Sequence, residues 1–327
     1  MGDRVFLLGA GFSKAICHEM PLMMELGEAV ASVLGEQEGR SLPVGLSRFG
    51  GDFEQLLSYL AERQPWLDDG DALRNRAAFL DVSRTVTELL RERQMAAVRM
   101  PQPSWLGELI GYWQRMRSTV ITFNYDVLVE AAAVQPNSVQ SWSHLYRAPV
   151  VPAAARTAAV LGGSRPEAFA LLKLHGSVTW FWSGVDSIAS DSIYDAGLRG
   201  GWSVEGLSSL YEEDLDVLLA DKVPMVVPPT ATKSVFYDNA TLRCQWQLAA
   251  DALAQADELV LIGYSLPPSD TVVRSLLRTT FRGESVIAVD LGRAVVAQAR
   301  SIFGDRVVDA YCGHGEAVAA FVRATCG

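Results

Sequence analysis

Paired cysteines are missing from this sequence of 327 residues. Its four cysteines are scattered, and no two of them form a CxxC pair: they are Cys17, Cys244, Cys312 and Cys326. A structural zinc site needs clustered Cys or His ligands, and a disulfide framework needs cysteines at recurring spacings. Neither pattern is present, so we expect no bound metal and a compartment in which thiols stay reduced.

Positive charge is scarce as well. The 28 Lys and Arg residues are outnumbered by 38 Asp and Glu residues, which gives a formal net charge of -10. Nonspecific nucleic-acid binding depends on clustered Lys and Arg, so we expect no direct binding to DNA or RNA. An anionic ligand would have to be held by backbone N–H groups and local dipoles, which need no net positive charge.

Long apolar runs are also lacking. A membrane helix needs about 20 consecutive apolar residues, and the alanine-rich run at 153–161 is interrupted by Arg156 and Thr157. The first apolar run, at residues 5–8, is too short for a signal peptide. We therefore expect no membrane association and a cytoplasmic location. Because 49% of the residues are hydrophobic, we also expect a globular core.

What the sequence does contain is an alternation of short apolar runs and helical patterns. Strands are predicted at residues 4–8, 118–123, 168–174, 225–227, 259–262, 285–289 and 307–308. Helices are predicted from residue 12, after residues 126 and 265, at about 238–256 and 294–303, and after residue 308. This alternation predicts an α/β fold with a Rossmann-like, doubly wound and mostly parallel sheet.

Residues 22–115 follow a different pattern. Apolar side chains recur there at helical spacing, for example at Phe53, Leu56, Leu57 and Leu60. We predict a helical insertion at 22–115 within a single domain of residues 1–327. Its Rossmann-like core would consist of residues 1–21 and 116–327.

Glycines and polar side chains follow several of the predicted strands. They are Gly9-Ala10-Gly11-Phe12-Ser13, Asn124-Tyr125-Asp126, His175-Gly176-Ser177, Gly263-Tyr264-Ser265 and Asp290. Ligands of open parallel sheets bind outside the carboxyl ends of the strands. We therefore expect these residues to converge on one ligand site.

The segment at residues 9–13 has the context of a phosphate-binding turn. Its glycines permit a tight turn, and the N–H groups at the helix start and the Ser13 hydroxyl could meet a pyrophosphate. Lys14 stands where a dehydrogenase fingerprint has its third glycine, however. A turn without a ligand therefore stays an equal alternative.

Several side chains at the later strand ends could take part in chemistry. Asn124 could hold a ribose or a water with Asp126 orienting it, although both residues could also cap the next helix. His175 could accept a proton near neutral pH, and its alternative is a packed core or loop histidine. Asp290 could bond ribose hydroxyls or cap the segment after Gly292.

Four motifs, in this order, resemble the sirtuin superfamily, and more narrowly the sirtuin-like domains of bacterial anti-phage defence proteins. They are the segment at 9–13, Thr122-Phe123-Asn124-Tyr125-Asp126, Lys173-Leu174-His175-Gly176-Ser177 and Ile262-Gly263-Tyr264-Ser265. The resemblance extends over most of the chain, from residue 4 to about residue 320.

The resemblance implies that NAD is the substrate, and it implies roles within the motifs. Asn124 and Asp126 would act at the nicotinamide ribose, and His175 would be the catalytic base. Ser13 and Ser265 would meet phosphates. The implied NAD-binding residues are, in chain order, Gly9, Ala10, Gly11, Phe12, Ser13, Thr122, Gly263, Ser265 and, at the adenosine ribose, Asp290.

The sequence also departs from protein-deacylating sirtuins. It lacks their two CxxC pairs, it reads Met20-Pro21-Leu22-Met23-Met24-Glu25 where they have an Arg-containing loop, and Asp290 replaces the usual Asn. A groove for an acyl-lysine peptide is therefore disfavoured, and water is the expected acceptor. This predicts an NAD glycohydrolase. The alternatives are an NAD-dependent protein deacylase and a non-catalytic NAD or ADP-ribose sensor, whereas the incomplete glycine fingerprint disfavours a dehydrogenase.

The resemblance further implies control by assembly, because continuous NAD cleavage would kill the cell. Defence proteins of this kind act as homo-oligomers or beside a partner such as a ring ATPase or a short Argonaute. We therefore expect a homo-oligomer or such a partner, and a role in anti-phage defence through NAD depletion.

Overall fold

A six-stranded sheet forms the centre of the protein in a computed structural model that describes residues 3–36, 42–134, 142–153, 168–199, 202–203, 206–209, 219–228, 230 and 233–326. Every neighbouring pair of its strands is parallel. In their order across the sheet the strands are β12 (Val307–Cys312), β11 (Ser285–Asp290), β10 (Glu258–Ile262), β1 (Arg4–Leu8), β2 (Thr119–Thr122) and β4 (Ala170–Lys173). The predicted α/β fold with a Rossmann-like parallel sheet is confirmed.

The sheet is buried on both faces. Successive side chains of a strand point to opposite faces, and in β1 Phe6 and Leu8 enter one hydrophobic core while Val5 and Leu7 enter the other. A strand of this kind reads as a continuous apolar run rather than as an alternation. Each such side chain stabilises the fold by roughly 1.5–3 kcal/mol.

Helices cover the two faces. The first core includes residues of α5, α6 and α11, and the second includes residues of α8, α9 and α10. In chain order the helices are α1 (Ala10–Ile16), α2 (Met23–Glu36), α3 (Phe53–Ala61), α4 (Asp69–Arg99), α5 (Ser104–Met116), α6 (Leu128–Ala133), α7 (Ser234–Tyr237), α8 (Ala240–Gln255), α9 (Thr271–Thr280), α10 (Ala294–Phe303) and α11 (Ala317–Thr325). Within the described ranges, no helix combines the length and the apolarity needed to cross a bilayer.

Helices α2 to α5 lie in the segment where helical spacing was noted. Asp52 begins α3 by accepting the backbone N–H of Gln55 at 3.0 Å, and Asp68 begins α4 by accepting that of Asp71 at 2.8 Å. The apolar stripe of α3 is buried as its spacing predicts. The limits of residues 22–115 as an inserted unit stay a prediction.

A second sheet corrects part of the predicted arrangement. The strand predicted at 225–227 is present as β9 (Val223–Val226), but it pairs antiparallel with β5 (Gly176–Trp182) instead of joining the parallel sheet. The order of this sheet is β3 (Val150–Pro152), β6 (Ile193–Asp195), β5 and β9. A separate pair is formed by β7 (Leu198–Arg199) and β8 (Ser208–Ser209).

The chain leaves the parallel sheet at His175. β5 begins at Gly176, almost directly after β4 ends at Lys173, whereas a crossover to a parallel strand needs a dozen or more residues. Gly176 has a φ of +80°, and a Cβ atom there would collide with the backbone oxygen of Met225. The turn therefore requires glycine, and it holds His175 where the two sheets meet.

Candidate functional site

A cavity of about 790 Å³ lies at the carboxyl ends of the parallel strands. It opens beside β1 and β10, where the strand order reverses, which is the usual ligand position in doubly wound sheets. Its volume is in the range of cofactor sites. Among the predicted site residues, those that line it are Gly9, Ala10, Gly11, Ser13, Asn124, Asp126, His175, Gly263, Ser265 and Asp290.

Phe12 and Thr122 were also predicted to bind the ligand, but their side chains are not in this lining. Phe12 points into the hydrophobic core, where its ring centroid lies 5.8 Å from that of Trp105. Burying the Phe12 ring away from water is favourable, whereas the polar Ser13 side chain faces the cavity. The Thr122 hydroxyl accepts the backbone N–H of Asn124 at 3.0 Å and so shapes the turn.

Two glycine turns pack backbone to backbone at the cavity. The Gly11 N–H donates to the Gly263 oxygen at 2.9 Å, and a Cβ atom on Gly9 would lie 2.6 Å from the same oxygen. The Phe12 N–H donates to the Gly9 oxygen at 2.9 Å. Two N–H groups that were expected to be open to a phosphate are therefore already occupied.

Asn124, Ser13 and Asp126 are joined by hydrogen bonds across the turns that follow β1 and β2. Asn124 Nδ2 donates to Ser13 Oγ and to the Gly9 oxygen, both at 2.9 Å, and Ser13 Oγ donates to Asp126 Oδ2 at 2.7 Å. Asp126 Oδ1 also accepts the Leu128 N–H at the start of α6, at 3.2 Å. Asp126 therefore also bonds to the start of the next helix, which was its alternative role. Asn124 Oδ1 has no hydrogen-bond partner in the described part of the chain.

A buried ion pair supports this network from behind. Lys173 Nζ lies 2.9 Å from Glu130 Oε1 and donates to the backbone oxygen of Asp126 at 2.5 Å. Both charged side chains are 1% exposed. Buried, hydrogen-bonded charges of this kind hold a turn in one position. Sequence reasoning missed this role, because a lysine at the end of an apolar strand does not reveal its partner.

His175 lies in the cavity wall among aromatic rings. Its ring centroid is 4.9 Å from that of Phe123 and 6.4 Å from those of Tyr125 and Trp246. The residue is 6% exposed, and among the described residues its buried Nε2 atom has no hydrogen-bond partner. An unpartnered buried nitrogen costs free energy unless a ligand or a water meets it. This atom therefore marks a position where a ligand contact is expected.

The environment also sets the charge of His175. Burial, together with the nearby charge of Lys233, lowers the pKa of His175 to about 3. The imidazole is therefore neutral at pH 7, and one of its nitrogens carries a lone pair that can accept a proton.

The low pKa of His175 leads to an expected pH dependence of stability. The folded pKa is about 3 and the ordinary value is 6.5, so between these values the unfolded chain binds a proton that the folded chain does not. The contribution is intact above pH 6.5, and stability falls below it by about 1.4 kcal/mol per pH unit. Between pH 7.5 and 5.5, urea unfolding should show the parent losing about 1.4 kcal/mol more than His175→Gln. Equal losses in the two proteins would contradict the lowered pKa.

Charged side chains that sequence reasoning had given no chemistry also line the cavity. Lys233 Nζ and Asp270 Oδ1 form a buried ion pair at 3.2 Å, and the Tyr264 hydroxyl donates to Asp270 Oδ2 at 2.6 Å. Glu54 accepts a hydrogen bond from Ser269 at 2.8 Å, and burial raises the pKa of Glu54. Within the described ranges, no group of three or more His, Cys, Asp or Glu side chains is arranged to hold a metal ion.

Asp290 ends β11 at the edge of the cavity. Its Oδ1 atom accepts the Gly292 N–H at 2.8 Å and so closes the turn before α10. This agrees with the predicted alternative in which Asp290 caps the segment after Gly292. Its second carboxylate oxygen has no hydrogen-bond partner in the part of the chain that is described. Burial raises the pKa of Asp290.

Comparisons with known proteins give a limited result. No protein-family model matches the chain, and no curated protein matches it. It is similar to a solved structure described as "Structural Basis for the Mechanism and Regulation of Sir2 Enzymes", with 16% identity over 98% of this chain and 90% of that chain, at a TM-score of 0.42. It is also similar to a structure described as "Sir2-p53 peptide-NAD+", with 14% identity over 98% of this chain and 91% of that chain, at a TM-score of 0.41. A third similar structure is described as "Structure of Sir2Tm bound to a propionylated peptide". It has 13% identity over 98% of this chain and 91% of that chain, at a TM-score of 0.43. At these values the likeness carries no inference about activity.

Proposed function

We propose that the chain binds NAD in this cavity and hydrolyses the bond between nicotinamide and ribose. The observation that carries the proposal is the buried, unpartnered Nε2 atom of His175 in a cavity wall shared with Asn124. This wall is built from the motifs whose resemblance to sirtuin-like proteins implied NAD.

The cavity has the mixed lining that a dinucleotide needs. Apolar side chains at its edge, Leu22, Met24 and Leu291, are exposed and offer surfaces for a base. The close glycine turns at Gly9 and Gly263 allow a ligand to approach the backbone. Neither feature requires a net positive charge, in agreement with the acidic composition.

The proposed reaction is a displacement at the ribose carbon that bears nicotinamide. As the C–N bond breaks, its electron pair leaves with the ring, which becomes neutral nicotinamide, and the ribose gains cationic character. Water forms the new C–O bond and gives its proton to His175, which passes it to solvent. Asn124 Oδ1 would orient that water or a ribose hydroxyl, because Nδ2 is already held by Ser13 and Gly9.

The test is direct identification of products. We expect the purified chain, alone or with the product of a neighbouring gene, to convert NAD into nicotinamide and ADP-ribose, as measured by mass spectrometry. Formation of O-acetyl-ADP-ribose from an acetylated peptide would instead indicate a deacylase. Tight NAD binding without nicotinamide release under every condition would indicate a sensor.

Asn124→Ala is expected to lower the rate of nicotinamide release about tenfold or more, because it removes the group that orients the reactants. It also removes one of the two hydrogen bonds of Ser13 Oγ, so the unfolding midpoint should be recorded alongside. Asn239→Ala is the matched control. Asn239 accepts the backbone N–H groups of Thr241 and Leu242 at the start of α8, so its loss should cost about 1 kcal/mol of stability and leave release unchanged. Equal release by Asn124→Ala and the parent would contradict the role of Asn124.

The proposal extends to control and to biological role. A chain that cleaves NAD without restraint would deplete its host, so we propose that it works as a homo-oligomer or with a partner such as a ring ATPase or a short Argonaute, in anti-phage defence. Light scattering of the pure chain, alone and with such a partner, together with nicotinamide release by each species, tests this. Equal release by every species would contradict control by assembly.

A further inference from the structure

The Lys233–Asp270 ion pair is the feature of the cavity that the proposed reaction has not used. Lys233 precedes α7 and Asp270 precedes α9, and both line the cavity with His175. Their side chains are 6% and 7% exposed. Both charges act on His175, since Lys233 lowers its pKa while Asp270 raises it. The pair therefore shares the cavity with the proposed base and is close enough to influence its charge.

The hydrogen bonds of the pair are only partly used. A lysine ammonium has three donors, and within the described ranges the ammonium of Lys233 makes one hydrogen bond, to Asp270 Oδ1. Asp270 is held on its other oxygen by the Tyr264 hydroxyl. Buried polar groups are normally satisfied, so the remaining N–H groups of Lys233 are available to a ligand in the cavity that Lys233 lines. The positive charge of Lys233 is balanced by the negative charge of the Asp270 carboxylate, which is held in place.

We propose that the Lys233–Asp270 pair is a specificity element that selects the oxidised form of the dinucleotide: Lys233 donates to the ribose oxygens next to the nicotinamide, and Asp270 attracts the positive charge of the nicotinamide ring. This inference rests on the proposed function and deepens it. A lone lysine at this position would repel the cationic ring, whereas a lone aspartate would leave the ribose oxygens without a donor. The pair meets both needs while remaining neutral overall.

The test uses three ligands that differ only where the pair acts. Carba-NAD has the cationic ring and resists cleavage, NADH has a neutral ring, and ADP-ribose has no ring. Their dissociation constants are to be measured by calorimetry for the parent, Asp270→Asn and Lys233→Met. The parent should bind carba-NAD more tightly than NADH.

The two single variants should weaken the binding of different ligands. Asp270→Asn should weaken carba-NAD by about tenfold and leave NADH and ADP-ribose within about twofold, because only the ring charge loses its partner. Lys233→Met should weaken ADP-ribose and NADH by about tenfold and carba-NAD by less. Equal weakening of carba-NAD and NADH by Asp270→Asn, or unchanged ADP-ribose binding in Lys233→Met, overturns the inference.

Further variants guard against a purely structural effect. Removing one partner of a buried pair leaves an uncompensated charge, so the double variant Lys233→Met/Asp270→Asn, which removes both, should fold even where a single variant does not. It should lose the preference for carba-NAD and bind ADP-ribose about tenfold more weakly. Lys222→Met is the matched control, because Lys222 pairs with Asp221 away from the cavity and its side chain is 9% exposed. It should bind all three ligands like the parent.

The outcomes separate this inference from the proposed function. A parent that binds none of the three ligands overturns both. A parent that binds all three while the variants bind like the parent overturns only the role of the pair.

Discussion

His175→Gln is expected to lower nicotinamide release by about 10²-fold while the fold persists. A general base commonly contributes about 10²–10⁴-fold. The low pKa of His175, about 3, limits the driving force for proton transfer, which places its contribution at the lower end of that range. Glutamine keeps a polar group in the buried position but cannot accept a full proton. The measurement is the initial rate of nicotinamide release from NAD, with circular dichroism to show that the variant is folded.

His314→Gln is the matched control for this variant. His314 is exposed and is not among the residues that line the cavity, so its rate should equal that of the parent. Because His175 stays neutral well below pH 7, its titration should produce no loss of activity between pH 5 and 8. Parent-like release by folded His175→Gln protein would remove the proposed base and with it the proposed reaction.

Gly263→Ala is expected to cost about 3 kcal/mol of folding stability or more. The residue has a φ of +61°, and a Cβ atom there would collide with the backbone of Gly11 and Phe12. The left-handed conformation costs an L residue roughly 1–2 kcal/mol, and overpacking adds typically 1–3 kcal/mol. The collision is with backbone atoms, which cannot rotate away. Urea unfolding measures the loss, and nicotinamide release should fall as well because the turn after β1 is displaced.

Gly50→Ala isolates the conformational part of this effect. Gly50 has a φ of +61° and a ψ of 23°, in the left-handed region, but nothing lies within 4 Å of a Cβ atom placed there. Its substitution should therefore cost only the backbone strain, about 1–2 kcal/mol, and leave the cavity intact. If the two variants lost the same stability, the close approach of the glycine turns would have no energetic role.

The elements that the sequence predicted well are those whose signal is local. β1 at residues 4–8 and α10 at residues 294–303 have the predicted limits, because continuous apolar runs and helical spacing are properties of neighbouring residues. The second sheet was missed. β5 contains the buried residues Trp180 and Trp182, but its antiparallel pairing with β9 depends on a segment far along the chain.

The candidate site shows the same division. The order of the strands could not be read from the sequence, yet the positions of Asn124, His175 and Gly263 at strand ends could, because the carboxyl ends of parallel strands meet at one edge. The Lys233–Asp270 pair could not be found this way. Neither residue follows a strand of the parallel sheet directly, and only the packing of the segments before α7 and α9 brings the two charges to 3.2 Å.

By itself, the sequence determined the strands of the parallel sheet, the helices that cover it and the residues at the strand ends, because hydrophobic periodicity and turn chemistry are local. Only the tertiary structure decided which charges meet, which N–H groups are occupied and which nitrogen of the wall lacks a partner. Those features depend on distances between segments remote in sequence, and burial sets their energies: the same histidine in water would keep its ordinary pKa, whereas here burial and Lys233 lower the pKa of His175 to about 3.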